Sequence, residues 1–161
     1  MSDDKKTPIY DTISRNIYYK NMHPLNPLKP LVIWANTNSM LDEYYKRPEV
    51  NLLNSEKDNT IRNDMRHFTG LALTQQEYPT KIARKIGNIK EYGDLLHNFY
   101  FEKPHFGFPP NYHIDALIDR ENNELGMQYA RNNPNATPLE IMDYAYNNIA
   151  LPKTLYQKLV E

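Results

Sequence analysis

Between residues 61 and 148 the chain is written in helical spacing, and prolines stand where that spacing breaks. Apolar residues recur three and four positions apart, as Met65, Phe68, Leu71 and Ala72 in one stretch and Ile82, Ile86 and Ile89, then Leu95, Leu96 and Phe99, in the next. Pro79 divides the two, Pro104, Pro109 and Pro110 crowd an aromatic loop over 103–111, and Pro138 follows Thr137. A proline lacks the amide proton a helix interior needs and collides with the preceding turn, so these positions end or begin helices. Helices are therefore predicted over 61–76, over 80–100 with Pro79 as the opening residue, over 113–131, and from Pro138 to near Asn148. Thr137-Pro138-Leu139-Glu140 reads as a capping box, the best-specified helix start in the chain. Residues 154–160 are expected to add a short last turn.

The first 59 residues read differently. Ile9, Ile13 and Ile17 suit a short helix over 9–22, and Pro24, Pro27 and Pro30 then imply an extended crossing segment. Leu31-Val32-Ile33-Trp34 is expected to be an extended core-filling piece, with Asn38 or Ser39 capping a helix over 40–46 that stops before Pro48. Strand alternation is nearly absent. The expected fold is all-α, a compact domain of about five to six helices. A Pro-rich irregular segment (1–59) packs on a helical core (60–161), and 161 residues suffice to bury one such core.

Charge and composition narrow the functional classes. The net charge is −1 and no run of Lys and Arg forms a polyanion track, so nucleic acid is not the expected partner. With no cysteine there is neither a disulfide framework nor a thiolate metal site. No apolar run reaches the roughly 18 residues a membrane span needs. Met-Ser-Asp-Asp-Lys-Lys lacks the apolar stretch of a secretory signal, so any export is expected to use a route that reads no cleavable peptide.

Three polar clusters interrupt the helical pattern: Asn63-Asp64-Met65-Arg66-His67, Lys90-Glu91 with Asp94, and Asp115 and Asp119 with Asn122, Asn123 and Gly126. Their spacing puts each cluster on one helix face. A solvated face mixes Lys, Glu and Gln, whereas stripes of Asn, His, Asp and Gly suit the lining of a site. His67 stands eleven residues before Tyr78 and Glu91 thirteen after it. In a straight antiparallel hairpin the two lie within roughly 3 Å of the same height. Asn63 and Asp94 pair at the next level, and Gly70 and Thr74 oppose Ala83 and Gly87 nearer the turn. If the third helix packs on this hairpin through Asp115, Asp119, Asn122 and Gly126, Asp119 and Asn122 face His67 and Glu91. Leu117, Ile118 and Leu125 flank that stripe and are expected to bind the core.

A His, a Glu and an Asp converging inside helices support two chemistries. One is acid–base catalysis; the other is coordination of a divalent cation by His67, Glu91 and Asp119. His67 is base or ligand, Glu91 and Asp119 are acid, base or ligand, and Arg66 stabilises developing anionic charge. Asn63, Asp94, Asp115, Asn122 and Asn123 orient the others or bind substrate. The bland alternative is a buried polar network in which Arg66 forms an ion pair with Glu91 or Asp119 to fix the packing.

The order of these clusters resembles a group of helical domains at the C-termini of bacterial polymorphic toxins, including Rhs-type proteins. Those carry an Asp/Asn-x-x-Arg-His opening, a Glu closing the next helix's small-residue stripe, and an Asp-x-x-Asn-Asn-x-x-Gly element. The matching residues are Asn63 to His67, Gly87 to Glu91, and Asp119 to Gly126, so the resemblance spans about residues 60 to 131. It implies an antibacterial effector secreted without a cleavable signal peptide and acting in the target cell's periplasm or cytoplasm. A cognate immunity protein and a carrier in the secretion machine are the implied partners. With the near-neutral charge and the aromatic loop, the expected activity is hydrolysis of a cell-envelope substrate, peptidoglycan or its lipid-linked precursor. The alternatives are a non-enzymatic helical binding protein and a metal-dependent nuclease.

Overall fold

A computed structural model describes residues 18–48, 50, 56–101 and 112–150, and every regular element among them is helical. A 3-10 turn (Tyr18–Asn21) leads to α1 (Lys29–Tyr44), α2 (Glu56–Glu77), α3 (Thr80–Phe101), α4 (Tyr112–Asn132) and α5 (Pro138–Ala145), and a π turn (Tyr146–Ala150) follows. The fold is all-α, as the spacing of apolar residues implies. The expected helices over 9–22 and 154–160 fall wholly or mostly outside the described residues, as does the aromatic loop.

α2 is the central helix. Every residue from 64 to 74 is buried except the half-buried Arg66, so this stretch of the helix has no solvated face. One side, with Met65, Phe68 and Ala72, joins a core completed by Ile33, Met40 and Tyr44 of α1 and Ile141 and Met142 of α5. Leu71 meets Trp34, Ala83 and Met127 in a second cluster. A helix enclosed on all sides must satisfy its polar side chains internally, because an unpaired buried polar group costs about 1–3 kcal/mol. Thr74 bonds back to the Gly70 carbonyl at 2.7 Å. For Asp64 and His67, other helices supply partners.

The closest approach is between α2 and α4. A Cβ at Gly126 would fall on the Phe68 carbonyl oxygen, 2.9 Å from its carbon, so only glycine allows these backbones to meet. Gly70 serves a different neighbour from the one expected. A Cβ there would lie 2.8 Å from the Trp34 indole of α1, not against α3. Gly87 does face α2, with Leu71 3.2 Å from its ideal Cβ position.

The structure overturns two groups of sequence expectations. Leu31 to Trp34 is helical, not extended, and α1 runs unbroken to Tyr44 because Pro30 occupies its first turn, where no amide proton is required. Nor do Asn38 and Ser39 cap a new helix. Asn36 bonds back to the Val32 carbonyl at 2.9 Å, Thr37 to Ile33 at 2.8 Å and Ser39 to Ala35 at 3.3 Å, which keeps these cap-forming side chains inside one helix. Residues 23–28 form turns instead of the extended crossing, with the Asn26 amide bonded to the His23 carbonyl at 2.9 Å and Lys29 to Asn26 at 3.0 Å. Second, α3 meets α2 through Ala83, Gly87, Lys90 and Glu91, so the isoleucines one position away rotate outward. Ile82 is 46% exposed and Ile89 69%, and Leu117 and Leu125 on α4 are likewise exposed, leaving Ile118 to enter the core. Two helix boundaries also differ: α2 begins at Glu56, and Pro79 precedes α3, its carbonyl accepting from Ile82 and Ala83. The Thr137–Glu140 capping box is complete in both directions.

Candidate functional site

His67 lies where four helices meet, and its imidazole is 1% exposed. α3 brings Glu91 to one ring nitrogen, with Oε1 3.1 Å from Nδ1. α4 brings Asp119 to the other, with Oδ2 3.4 Å from Nε2. Asn123 adds Oδ1 at 3.2 Å from Nδ1 and donates from Nδ2 to Glu91 Oε1 at 3.4 Å. The Lys90 ammonium stands 3.3 Å from Nε2 and 4.9 Å above the Trp34 ring, whose edge packs on the imidazole at 5.8 Å between centroids. Trp34 can lie there because Gly70, one helical turn beyond His67, leaves room for the indole.

The donor pattern assigns the imidazole tautomer. Lys90 offers protons only, so a neutral His67 accepts from it at Nε2 and turns its Nδ1–H toward Glu91 and Asn123. His67 thus separates two carboxyls held in opposite states. Burial pushes Glu91 upward, but its hydrogen bond with His67, the charges of His67 and Lys90, and the Asn123 bond outweigh burial and hold it below the ordinary glutamate range. Burial pushes Asp119 above the ordinary aspartate range; the nearby Glu91 charge adds to this, and the pull of His67, Lys90 and Arg66 does not cancel it. Asp119 therefore holds its proton to higher pH than Glu91 does, across the same imidazole.

A further layer orients this group. Asn63 donates to Asp119 Oδ1 at 2.8 Å and accepts from Arg66 Nη2 at 2.6 Å. Asn122 donates to Asp64 Oδ1 at 2.9 Å, which ties α4 to α2 a turn away from the imidazole. Of the sequence candidates, His67, Glu91, Asp119, Asn63 and Asn123 meet in one cluster. Asn122 does not touch His67 or Glu91 as expected; Asn123 takes that place. Arg66 bonds Asn63 and forms no ion pair with Glu91 or Asp119. Asn63 pairs with Asp119 across to α4, not with a residue of α3. Asp94 and Asp115 stand on α3 and α4, but their side chains lie outside the described residues. Asp64 and Lys90 stand in the polar clusters without an assigned role, and Trp34 is not among the candidates. Gly70 is the sequence signal for Trp34, since a buried glycine in a helix interior implies a bulky neighbour.

His67, Glu91 and Asp119 can each offer one ligand atom with all three within 4.8 Å of one another, a separation that suits a cation. An ion on Nε2 and Asp119, with Glu91 behind Nδ1, would follow a common carboxylate–histidine–metal pattern. The Lys90 ammonium occupies the approach to Nε2, however, and would repel such an ion. This donor set fits proton transfer better than metal binding. Compared with known protein families, curated proteins and solved structures, the chain matches none of them.

Proposed function

We propose that the protein is a hydrolase-type antibacterial effector acting on a cell-envelope substrate, with Glu91, His67 and Asp119 as its acid–base centre. The observation that carries the acid–base part is the pair of carboxyls on opposite nitrogens of one imidazole, one held low and the other high. Two titratable groups driven apart in this way supply the base and the acid of a hydrolysis. Ionised Glu91, oriented by the His67 ring, takes a proton from the attacking water as that water bonds to the scissile centre. The leaving-group bond breaks as Asp119 gives the departing atom a proton, and exchange with solvent resets both carboxyls. Glu91 and Asp119 are 17% and 16% exposed, so their outer faces reach solvent while the imidazole between them stays dry. A dry site strengthens each of these interactions.

The effector role and the envelope target rest on the resemblance of the three motif elements to polymorphic-toxin domains. It supports this reading that residues from all three elements belong to the one cluster. Among the described residues no helix is long and apolar enough to cross a membrane, so access to an envelope substrate would come from the aqueous side. The test directs the protein separately to the bacterial cytoplasm and periplasm, and incubates purified protein with sacculi and with lipid-linked precursor. Growth arrest and product release by wild type, both lost in Asp119→Asn, are expected. A harmless protein that releases nothing from either substrate would remove the hydrolase reading.

A second reading has its own observation. An imidazole only 1% exposed is also what a structural polar network would hold. His67→Ala separates the two. An enzyme centre loses activity with the fold kept, whereas a structural network loses several degrees of melting temperature.

A further inference from the structure

Beside the acid–base centre, on the face between α1 and α2, lies a cleft of about 340 Å³. Asn38 and Asp42 line it from α1, Tyr45 from just past the end of α1, and Arg62, Asn63 and Arg66 from α2. Its cations are not equivalent. Arg62 is half exposed at the rim, bonded to Asp42 at 2.8 Å and stacked 4.7 Å from the Tyr45 ring. Arg66 lies deeper and forms no ion pair among the described residues. One amino group donates to Asn63 at 2.6 Å, and its buried Nε has no hydrogen-bond partner.

A half-buried guanidinium whose Nε is enclosed without a partner is costly, because taking the charge out of water needs an anion or a full set of acceptors in return. Asn63 supplies one neutral acceptor, which leaves most of the five donors unused. Charge on Arg66 in a concave site is thus compensated when an anion enters the cleft. Tyr45 forms the wall beneath Arg62, its phenol donating to Met65 Sδ at 3.6 Å. Asn38 and Arg62 add donors from the opposite wall and the rim. Donors converging from two helices suit a tetrahedral oxyanion, which accepts in several directions, better than a planar carboxylate.

We infer that the α1–α2 cleft is a subsite for a phosphoryl group of the substrate, with Arg66 as its principal ligand. The subsite is connected to the reaction centre by one side chain, since Asn63 accepts from Arg66 and donates to Asp119 Oδ1 at 2.8 Å. A phosphoryl group held there lies against Asn63, whose amide holds the Asp119 carboxyl. Resting on the envelope-hydrolase reading, this selects the lipid-linked precursor, which carries a pyrophosphate, over the peptidoglycan polymer.

Binding is measured by titration calorimetry with pyrophosphate, inorganic phosphate and acetate at one ionic strength. The proteins are wild type, Arg66→Gln, Asn38→Asp and Glu91→Gln. Wild type is expected to bind one pyrophosphate, more tightly than phosphate and far more tightly than acetate. Removing a charge-assisted bond in Arg66→Gln should weaken pyrophosphate binding at least about tenfold. Asn38 is exposed, so Asn38→Asp keeps the fold while placing an anion in the cleft, and it should weaken binding similarly. Glu91→Gln should bind as wild type does, so the subsite is judged apart from any hydrolytic activity. Absence of saturable pyrophosphate binding, acetate binding of equal strength, or wild-type affinity in Asn38→Asp would overturn the assignment.

Discussion

Replacing Gly126 with alanine adds one methyl group at the tightest approach between α2 and α4. The new Cβ would fall on the Phe68 carbonyl oxygen and 2.9 Å from its carbon, and backbone atoms cannot rotate aside as a side chain can. Alanine is the better helix former by about 0.5–1 kcal/mol. Overpacking costs about 1–3 kcal/mol, and a clash with backbone belongs in the upper half of that range. The net loss is therefore about 1–2.5 kcal/mol. For a chain of this size that corresponds to a fall in Tm of about 2–10 °C. Gly93 is an internal control, since a Cβ there meets nothing within 4 Å. Gly93→Ala should gain about 0.5–1 kcal/mol from helix propensity alone. Asn123 and Asp119 leave α4 within two turns of Gly126, so moving α4 away from α2 also lengthens their contacts with His67. Denaturant unfolding of the three proteins is the assay. Equal stability of Gly126→Ala and wild type, or shifts of the same sign at both glycines, would refute the close-approach reasoning.

Asp119→Asn preserves the shape of the side chain and its acceptor for Asn63; melting within about 2 °C of wild type, with envelope hydrolysis reduced at least about a hundredfold, is expected from loss of a general acid. The rate should require Glu91 ionised and Asp119 protonated, so kcat/KM should rise as pH climbs through the lowered Glu91 value and fall as it passes the raised Asp119 value; a rate still climbing above neutral pH would exclude Asp119 as the acid. The same shifts act on stability in opposite senses: Glu91 contributes stability above its unfolded value that is lost as pH falls through its folded one, whereas the Asp119 contribution is present in acid and lost as pH rises through its folded value. Lys29 is buried and bonded to Glu77 at 2.6 Å, so Glu77→Ala should cost about 3 kcal/mol by stranding that ammonium, and a double change to Lys29→Met with Glu77→Gln should recover most of it in a melting experiment.

The juxtaposition of His67 and Glu91 was legible in the sequence because two antiparallel helices joined by a short turn match positions by counting. Asp119 was legible for a related reason, as part of a stripe ending in a glycine that only close packing explains. The rotation of each helix about its own axis was harder to read. One position on α4 is a rotation of about 100°, enough to put Asn123 against His67 and Asn122 against Asp64. The same rotation on α3 turned Ile82 and Ile89 outward, because the helix meets α2 through small and polar residues and not through its largest apolar ones. Trp34 stayed hidden because Pro30 and the run of Asn, Thr and Ser after it suggested two short segments. The back-bonds of Asn36 and Thr37 satisfy those side chains within the helix, so neither caps a new one.

Carbon-13 NMR of the side-chain carboxyls, followed from acid to neutral pH in wild type and in His67→Gln, measures the state of the two groups that the mechanism needs. Asp119 should titrate above the ordinary aspartate value of about 3.9 and Glu91 below the ordinary glutamate value of about 4.3, with the Glu91 midpoint moving up when the imidazole is removed. Midpoints at the ordinary values for both carboxyls, or a Glu91 midpoint indifferent to His67, would leave the cluster without an acid and a base and rule out the acid–base centre.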